Sequence, residues 1–478
     1  MNGRAAALEP AARPDPLAVR FSPTLFAAFV AAALLTNYPG RLNIDALEQL
    51  LGTAVPAHLN DWHAPIVGWL WQLPAPLLGQ PGAALLVQSL LIGFGVAVIP
   101  AVRPANRWAA AALLIDIFWK AALVPLAGTI LKDVLLVGAL LTALAAFRLW
   151  LSGQRRLWLW IAAAAIALAT LVRAPNAIMF CVAAALGLAF FDSGRLNYRK
   201  RLALVIALLL ACVGLGALAN RYLFGAHAAH PEAQVVIFDI AGTSVHSGSN
   251  LFERMPGWPA VPLPALSGCY EPFFWDNLAP WGRCRGYSFA VNEAARRAGP
   301  ARLARWWAGE LVAHPLAYGA HRLSYLGTAL TYGITDPTLV YTGHGAINGA
   351  GNSDAMTAAL RERLPPSYFS TWREDRMPHA LAALLVAALC LPYAPAAALC
   401  VCLLLAAEAL YRRKRGERAD PLIMVAAAVG LGNVAMMAVF GAASSPRYFF
   451  PLILGAYVAA TERIRRRGLE LEGRPAIG

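Results

Sequence analysis

With 478 residues, 59% hydrophobic and 14% charged, and a mean hydropathy of +0.54, the chain excludes a string of soluble domains and reads as a polytopic membrane protein. Its net charge of +14 does not indicate a nucleic-acid partner, since no basic stripe interleaved with exposed aromatics accompanies it. The charge falls instead in "RPANR" (103–107), "RLWLSGQRR" (148–156), "GRLNYRKR" (194–201), "YRRKRGER" (411–418) and "RIRRR" (463–467), between or after apolar runs, as the positive-inside rule requires.

A helical span needs about 20 apolar residues, and such runs recur through the chain, so the predicted fold class is all-α with about 10–12 transmembrane helices. The first span, 20–36, follows Arg4, Arg13 and Arg20 and reads as a retained signal-anchor. It leads to a first outer loop, 37–80, with interfacial helices. A span at 81–100 returns, one at 107–125 goes out again, and "LAGTILKD" turns back at the outer face. Spans at 132–148, 157–172, 175–191 and 202–219 follow, with Arg or Lys at each inner turn. A large extracytoplasmic loop region, 220–377, contains Gly/Pro-rich turns, many aromatics and the amphipathic stretch "ARLARWWAGELVAHPLAYGAHRLSYLGTALTYG". Residues 379–411 are read as one net crossing. An outward span at 421–440, the outer turn "GAASSPRY" and an inward last span complete the chain. Three units result: a transmembrane module over 1–219, the loop region over 220–377, and C-terminal helices with a basic cytoplasmic tail over 378–478.

Of seven cysteines, Cys181, Cys212, Cys390, Cys400 and Cys402 lie in apolar runs and read as small buried hydrophobes. Cys269 and Cys284 flank the polar loop "YEPFFWDNLAPWGR" and are expected to pair as a disulfide, which requires an oxidising compartment.

This topology sends Asp45, His63, Lys132, Asp133, Arg173 and Arg447 to one face, each from a turn or span end. Charges at membrane depth are costly, so such a cluster is a candidate functional site. Asp45 has two readings. With Glu48 it has the form of a capping box on a short helix stopped by Gly52, and it is also a carboxylate able to take a proton from an acceptor group. His63, in the tryptophan-rich "DWHAPIVGWLWQLPAPLLG", is either part of an interfacial belt or a donor to a phosphate oxygen. Lys132 and Asp133 open the fourth span, where Lys can snorkel and Asp can cap the helix. Arg173 in "LVRAPNA" and Arg447 in "SSPRYFF" offer guanidinium forks suited to phosphate. Asp116 and Lys120, four apart in the third span, are either an intrahelical ion pair or the proton relay of a transporter. No metal or cofactor is indicated: the sparse carboxylates make no oxygen cage, and no Gly-rich phosphate cradle faces the cytosol.

These residues, in this order, resemble the GT-C-type integral membrane glycosyltransferases, the group with protein O-mannosyltransferases and the lipid A aminoarabinose transferase. The first outer loop with Asp45 looks like theirs. "WHAPIVGWLWQLPAPLLG" is similar to their His/Lys-Pro-Pro segment, with Ala64 in place of the first proline. The stretch from Lys132 to Ala177 looks like their fourth-to-fifth span, opened by an acid and closed by a base, here Asp133 and Arg173. "HPLAYGAHR" and "SPRYFFPLILG" are similar to later elements. Ala46 follows Asp45 where the family has an acidic pair.

The resemblance implies inverting transfer of one sugar from a polyprenyl-phosphate donor on the outer face of a bacterial plasma membrane. Asp45 deprotonates or orients the acceptor, and Asp133 positions the acceptor or a basic partner. Lys132, Arg173, Arg447 and His63 hold the phosphate. The acceptor is a glycolipid, cell-wall glycan or protein. The alternatives are a transporter or flippase of a lipid-linked glycan, and a glycan polymerase or ligase with a diphosphate-linked donor.

Overall fold

The computed structural model describes residues 19–38, 40–42, 44–54, 59–79, 82–100, 106–153, 155–173, 175–176, 178–181, 183, 197–255, 262–272, 275–279, 282, 284, 298–335, 395–417, 420–443 and 446–471. It is mostly helical, 82%, and its four named strands are only two or three residues long, in keeping with the all-α class. In the first part of the chain the helices are α1 (Pro23–Asn37), α2 (Ile44–Ala54), α3 (Pro65–Gln72), α4 (Ala75–Leu78), α5 (Gly82–Val96), α6 (Arg107–Ala127), α7 (Lys132–Gly153) and α8 (Arg156–Val172). Then come α9 (Tyr198–Leu218), α10 (Glu232–Ser247), α11 (Leu263–Cys269), α12 (Pro300–Ala313) and α13 (Pro315–Thr335). The last three are α14 (Pro395–Lys414), α15 (Pro421–Phe440) and α16 (Phe450–Leu471).

Among the described residues four segments, Lys132–Gly153, Leu202–Leu223, Pro395–Arg412 and Pro421–Phe440, are long and apolar enough to cross a membrane. Pro23–Asn37, Gly82–Val96 and Arg156–Val172 are shorter apolar helices. Part of the expected sixth span, 184–191, lies outside the described residues, as do 336–377 and 379–394. The amphipathic stretch divides at Pro315 into α12 and α13, because the residue before a proline is pushed out of the α region. The helix α13 packs against α14 and α15, which joins Pro315–Thr335 to the C-terminal helices.

The turn between α6 and α7 shows how local sequence builds the site. Asn37 ends α1 and donates from Nδ2 to the carbonyl of Val124 at 3.0 Å, and a Cβ on Gly128 would fall 2.1 Å from Asn37 Oδ1. Glycine is therefore required where the two segments meet. The fully buried Gln88 donates to the carbonyls of Ala127 and Thr129 and accepts from the Leu131 amide at 3.2 Å. A buried polar group must be paired, and this one fixes the turn in the process. The turn then forms a short parallel pairing, Thr129 and Ile130 with Arg41 and Leu42, two residues before α2 begins. That pairing sets the segment entering α2 beside the start of α7.

Two expectations are corrected here. Gly52 does not stop α2, which continues to Ala54. Cys400 is exposed and Cys212 only partly buried, whereas Cys181 and Cys402 are buried; Cys390 is outside the described residues.

Candidate functional site

The six residues singled out from the sequence lie together at one end of the helices. Arg447, in the short turn Pro446–Phe449 before α16, places Nη1 3.0 Å from Asp45 Oδ2 and Nε 3.7 Å from Asp133 Oδ2. Arg173, just past the end of α8, donates from Nη1 to Asp133 Oδ1 at 3.2 Å. Asp133 thus receives two guanidiniums. Its side chain is 2% exposed, against 23% for Asp45, so one carboxylate is a buried counter-ion and the other is partly open to solvent.

Tyr448 lies between the two arginines, its ring centroid 4.4 Å from the Arg173 guanidinium carbon and 5.0 Å from that of Arg447. Its hydroxyl accepts from Arg447 Nη2 at 3.1 Å, and its carbonyl accepts from Asn433 of α15 at 3.1 Å. Planar guanidiniums stack on aromatic rings, so Tyr448 orders both forks.

Lys132, at the first position of α7, donates from Nζ to His63 Nδ1 at 3.1 Å. An ammonium can only donate, so Nδ1 must accept and the ring proton sits on Nε2. That nitrogen donates to Glu48 Oε2 at 2.8 Å. Burial first, and Lys132 next, push His63 below its ordinary value against the pull of Glu48 and Asp45, which keeps it neutral. Both ring nitrogens are engaged. The phosphate contact expected of His63 is therefore replaced by a different task, holding Lys132, and the reciprocal capping expected of Glu48 is replaced by its bond to His63.

Burial by itself would raise the Asp45 carboxyl. Arg447 first, with Lys132 behind it, overcomes that effect and holds it well below the usual carboxylate range. Asp45 is accordingly ionised across the physiological range. With Glu48, which His63 holds, the cluster counts three acidic side chains (Asp45, Glu48 and Asp133) against three basic ones (Lys132, Arg173 and Arg447). Among the described residues, no three His, Cys, Asp or Glu side chains gather as metal ligands.

Tyr448, Gln49 and Gln88 were not singled out from the sequence. Gln49 approaches His63 Nδ1 at 3.4 Å. A polar side chain inside the apolar run 82–96 was the available signal for Gln88. The expected Cys269–Cys284 disulfide is formed. Asp116 and Lys120 pair at 2.7 Å, and Lys120 also donates to the Val98 carbonyl at 3.2 Å. They lie with the basic termini at the opposite end of the helices, where Arg148 meets Glu462 at 3.0 Å and Arg463 meets Glu408 at 2.7 Å.

No family model, curated protein or solved structure matches the chain.

Proposed function

We propose that this protein is an integral membrane glycosyltransferase that moves one sugar from a polyprenyl-phosphate donor to an acceptor at the outer face of a bacterial plasma membrane. The observation that carries the reading is Arg447 set between two unlike carboxylates, with Arg173 and Lys132 alongside. Three cations from separate elements then face the charge that grows on the phosphate as it leaves, where fixed charges lower a barrier most.

In the reaction the acceptor hydroxyl gives its proton to Asp45, and its oxygen attacks the sugar's anomeric carbon from the face opposite the phosphate. The carbon–oxygen bond to the phosphate breaks, the electron pair stays on the phosphate oxygen, and configuration inverts. Asp45 paired with Arg447 is a weak base. Donor phosphate competes for the Arg447 fork, and each step of that exchange returns basicity to Asp45. Asp133 and Tyr448 touch neither reactant in this scheme; they position the arginines. The apolar helices around the cluster supply the lipid-facing path for a polyprenyl tail, and nucleic acid has no place in the reaction.

The pairing of Asp116 with Lys120 supports their reading as an intrahelical ion pair, the account that goes with the glycosyltransferase. Mass spectrometry of envelope glycans from cells lacking the protein tests the proposal. Loss of one monosaccharide from one glycan or glycoprotein is expected, and purified protein should restore it with a monophosphate-linked donor. Turnover with diphosphate-linked donors alone would replace it with the polymerase or ligase reading.

A further inference from the structure

The reading above uses nothing from the segment 232–335, yet that segment contains a deeply buried charged cluster outside the site. Asp239 of α10 has no exposure and accepts from Trp307 Nε1 at 2.9 Å and from His321 Nε2 at 3.1 Å. His321, also fully buried, accepts at Nδ1 from the Tyr270 hydroxyl at 2.7 Å. Arg322 pairs with Asp239 Oδ1 at 2.5 Å through Nη2. Burying a carboxylate and a guanidinium this deeply is costly, and hydrophobic residues of the same size often serve stability as well. The cluster therefore calls for another role.

Arg322 supplies it. Its other terminal nitrogen, Nη1, donates to the carbonyl of Gly441 at 2.6 Å. Three residues along α13, the Tyr325 hydroxyl donates to the carbonyl of Ala443 at 3.1 Å. Between them the Ala442 carbonyl accepts from the backbone amide of Trp275, inside the loop closed by Cys269–Cys284, at 3.0 Å. Three successive carbonyls are each taken by a donor from the outer segment. A Cβ on Gly441 would fall 2.0 Å from the Tyr325 oxygen, so this approach needs glycine. Two residues further along the chain begins Pro446–Phe449, which carries Arg447 and Tyr448. Trp275 also faces Trp62, next to His63, with ring centroids 6.1 Å apart.

We propose that Arg322, oriented by Asp239, is a positioning residue for Arg447: it fixes the turn 441–443 and so the placement of the Arg447 fork between Asp45 and Asp133. The outer segment thereby sets the affinity of the site for the donor's phosphate, an effect that rests on the glycosyltransferase reading. The positioning itself does not. The fork is held from both sides, by Tyr448 stacking within the site and by the anchored turn behind it, and Arg322 joins that turn to a buried counter-charge.

The test uses the full-length protein in lipid nanodiscs, as wild type and as Arg322→Gln, Arg322→Lys and Tyr325→Phe. Two readouts are taken. Phenylglyoxal labelling, resolved by residue with mass spectrometry, reports the accessibility of Arg447. Binding of a short isoprenyl monophosphate, against the matching alcohol, reports phosphate affinity. Arg322→Gln should raise Arg447 labelling several-fold and weaken phosphate binding about tenfold, with alcohol binding unchanged, and Arg322→Lys should recover part of both. A general loss of packing would weaken phosphate and alcohol alike. Tyr325→Phe, which removes one hydroxyl, should shift both readouts in the same direction and carries the test if Arg322→Gln does not fold. Unchanged Arg447 labelling in folded variants overturns the positioning role. If wild-type protein shows no preference for the phosphate over the alcohol, the glycosyltransferase reading falls, and labelling alone still decides whether Arg322 positions Arg447.

Discussion

Replacing Asp45 with Asn separates chemistry from structure, and the geometry says by how much. Asp45 and Arg447 meet at 3.0 Å, but each side chain is about a quarter exposed. Arg447 also keeps Asp133 at 3.7 Å and the Tyr448 hydroxyl at 3.1 Å. The variant does not strand a buried charge, so the loss of stability should be about 1 kcal/mol, the scale of a partly solvated ion pair. A positioned base contributes a factor of about 10² to 10⁴. At 1.36 kcal/mol per decade, transfer should therefore lose about 3–5 kcal/mol of barrier lowering. Thermal melting and turnover of a synthetic polyprenyl-phosphate sugar, measured on one preparation, give the two quantities. There is also a sign to check. Without Asp45 competing for its fork, Arg447 should bind an isoprenyl monophosphate more tightly than in the wild type. If the Asp45→Asn variant turns over within tenfold of wild type, or loses affinity for the phosphate, the assignment of Asp45 as the proton acceptor paired with a donor-binding arginine is refuted.

Asp133→Ala should behave in the opposite way, costing about 3 kcal/mol or more of stability, because it leaves two guanidiniums facing each other without their shared counter-ion; thermal melting beside Asp45→Asn checks the contrast. His63 titrates below its ordinary 6.5 in the folded protein, so the unfolded chain takes up that proton first as pH falls. Its contribution to stability is full above 6.5 and is lost as pH drops below that value, and His63→Gln should flatten the melting-temperature profile in that window. Removing the Cys269–Cys284 bridge, which closes a loop of 15 residues, should cost about 3 kcal/mol, read as a lowered melting temperature of the double Ala variant.

Much of the site was legible because membrane proteins constrain where charge can go. Asp45, Asp133, Lys132, Arg173 and Arg447 stand out in apolar surroundings, and counting crossings puts them at the same end; their meeting in space follows from the turns that end those crossings. The span expected over 421–440 forms with those limits, capped by Asp420, whereas the one expected from 20 begins only at Pro23, after the Ser22 cap. The task of His63 was not. Whether a histidine faces a ligand or a lysine depends on a contact 69 residues away, and no local pattern records it. The same holds for Asp239, His321 and Arg322, which look like ordinary polar residues of an amphipathic loop until α10 and α13 are packed together. Gly52 misled because an isolated glycine both stops helices and is tolerated within them.

The opposite end of the molecule bears on the site as well. Helices in a bilayer gain little from burying apolar surface against one another, because lipid is equally apolar, so polar contacts and close packing must fix their register. At the basic end Arg148 of α7 pairs with Glu462 of α16, Arg466 of α16 pairs with Asp420 at the start of α15, and Arg463 of α16 pairs with Glu408 of α14. Asn106, before α6, donates to the Gly468 carbonyl near the end of α16 at 2.9 Å. A slip of α16 by one turn against α7 would move it about 5.4 Å. That would part Arg148 from Glu462 and, at the far end, carry Arg447 beyond reach of Asp133. The two ends of α16 are therefore coupled through its length, and the ion pairs of one end hold the distances on which the other depends.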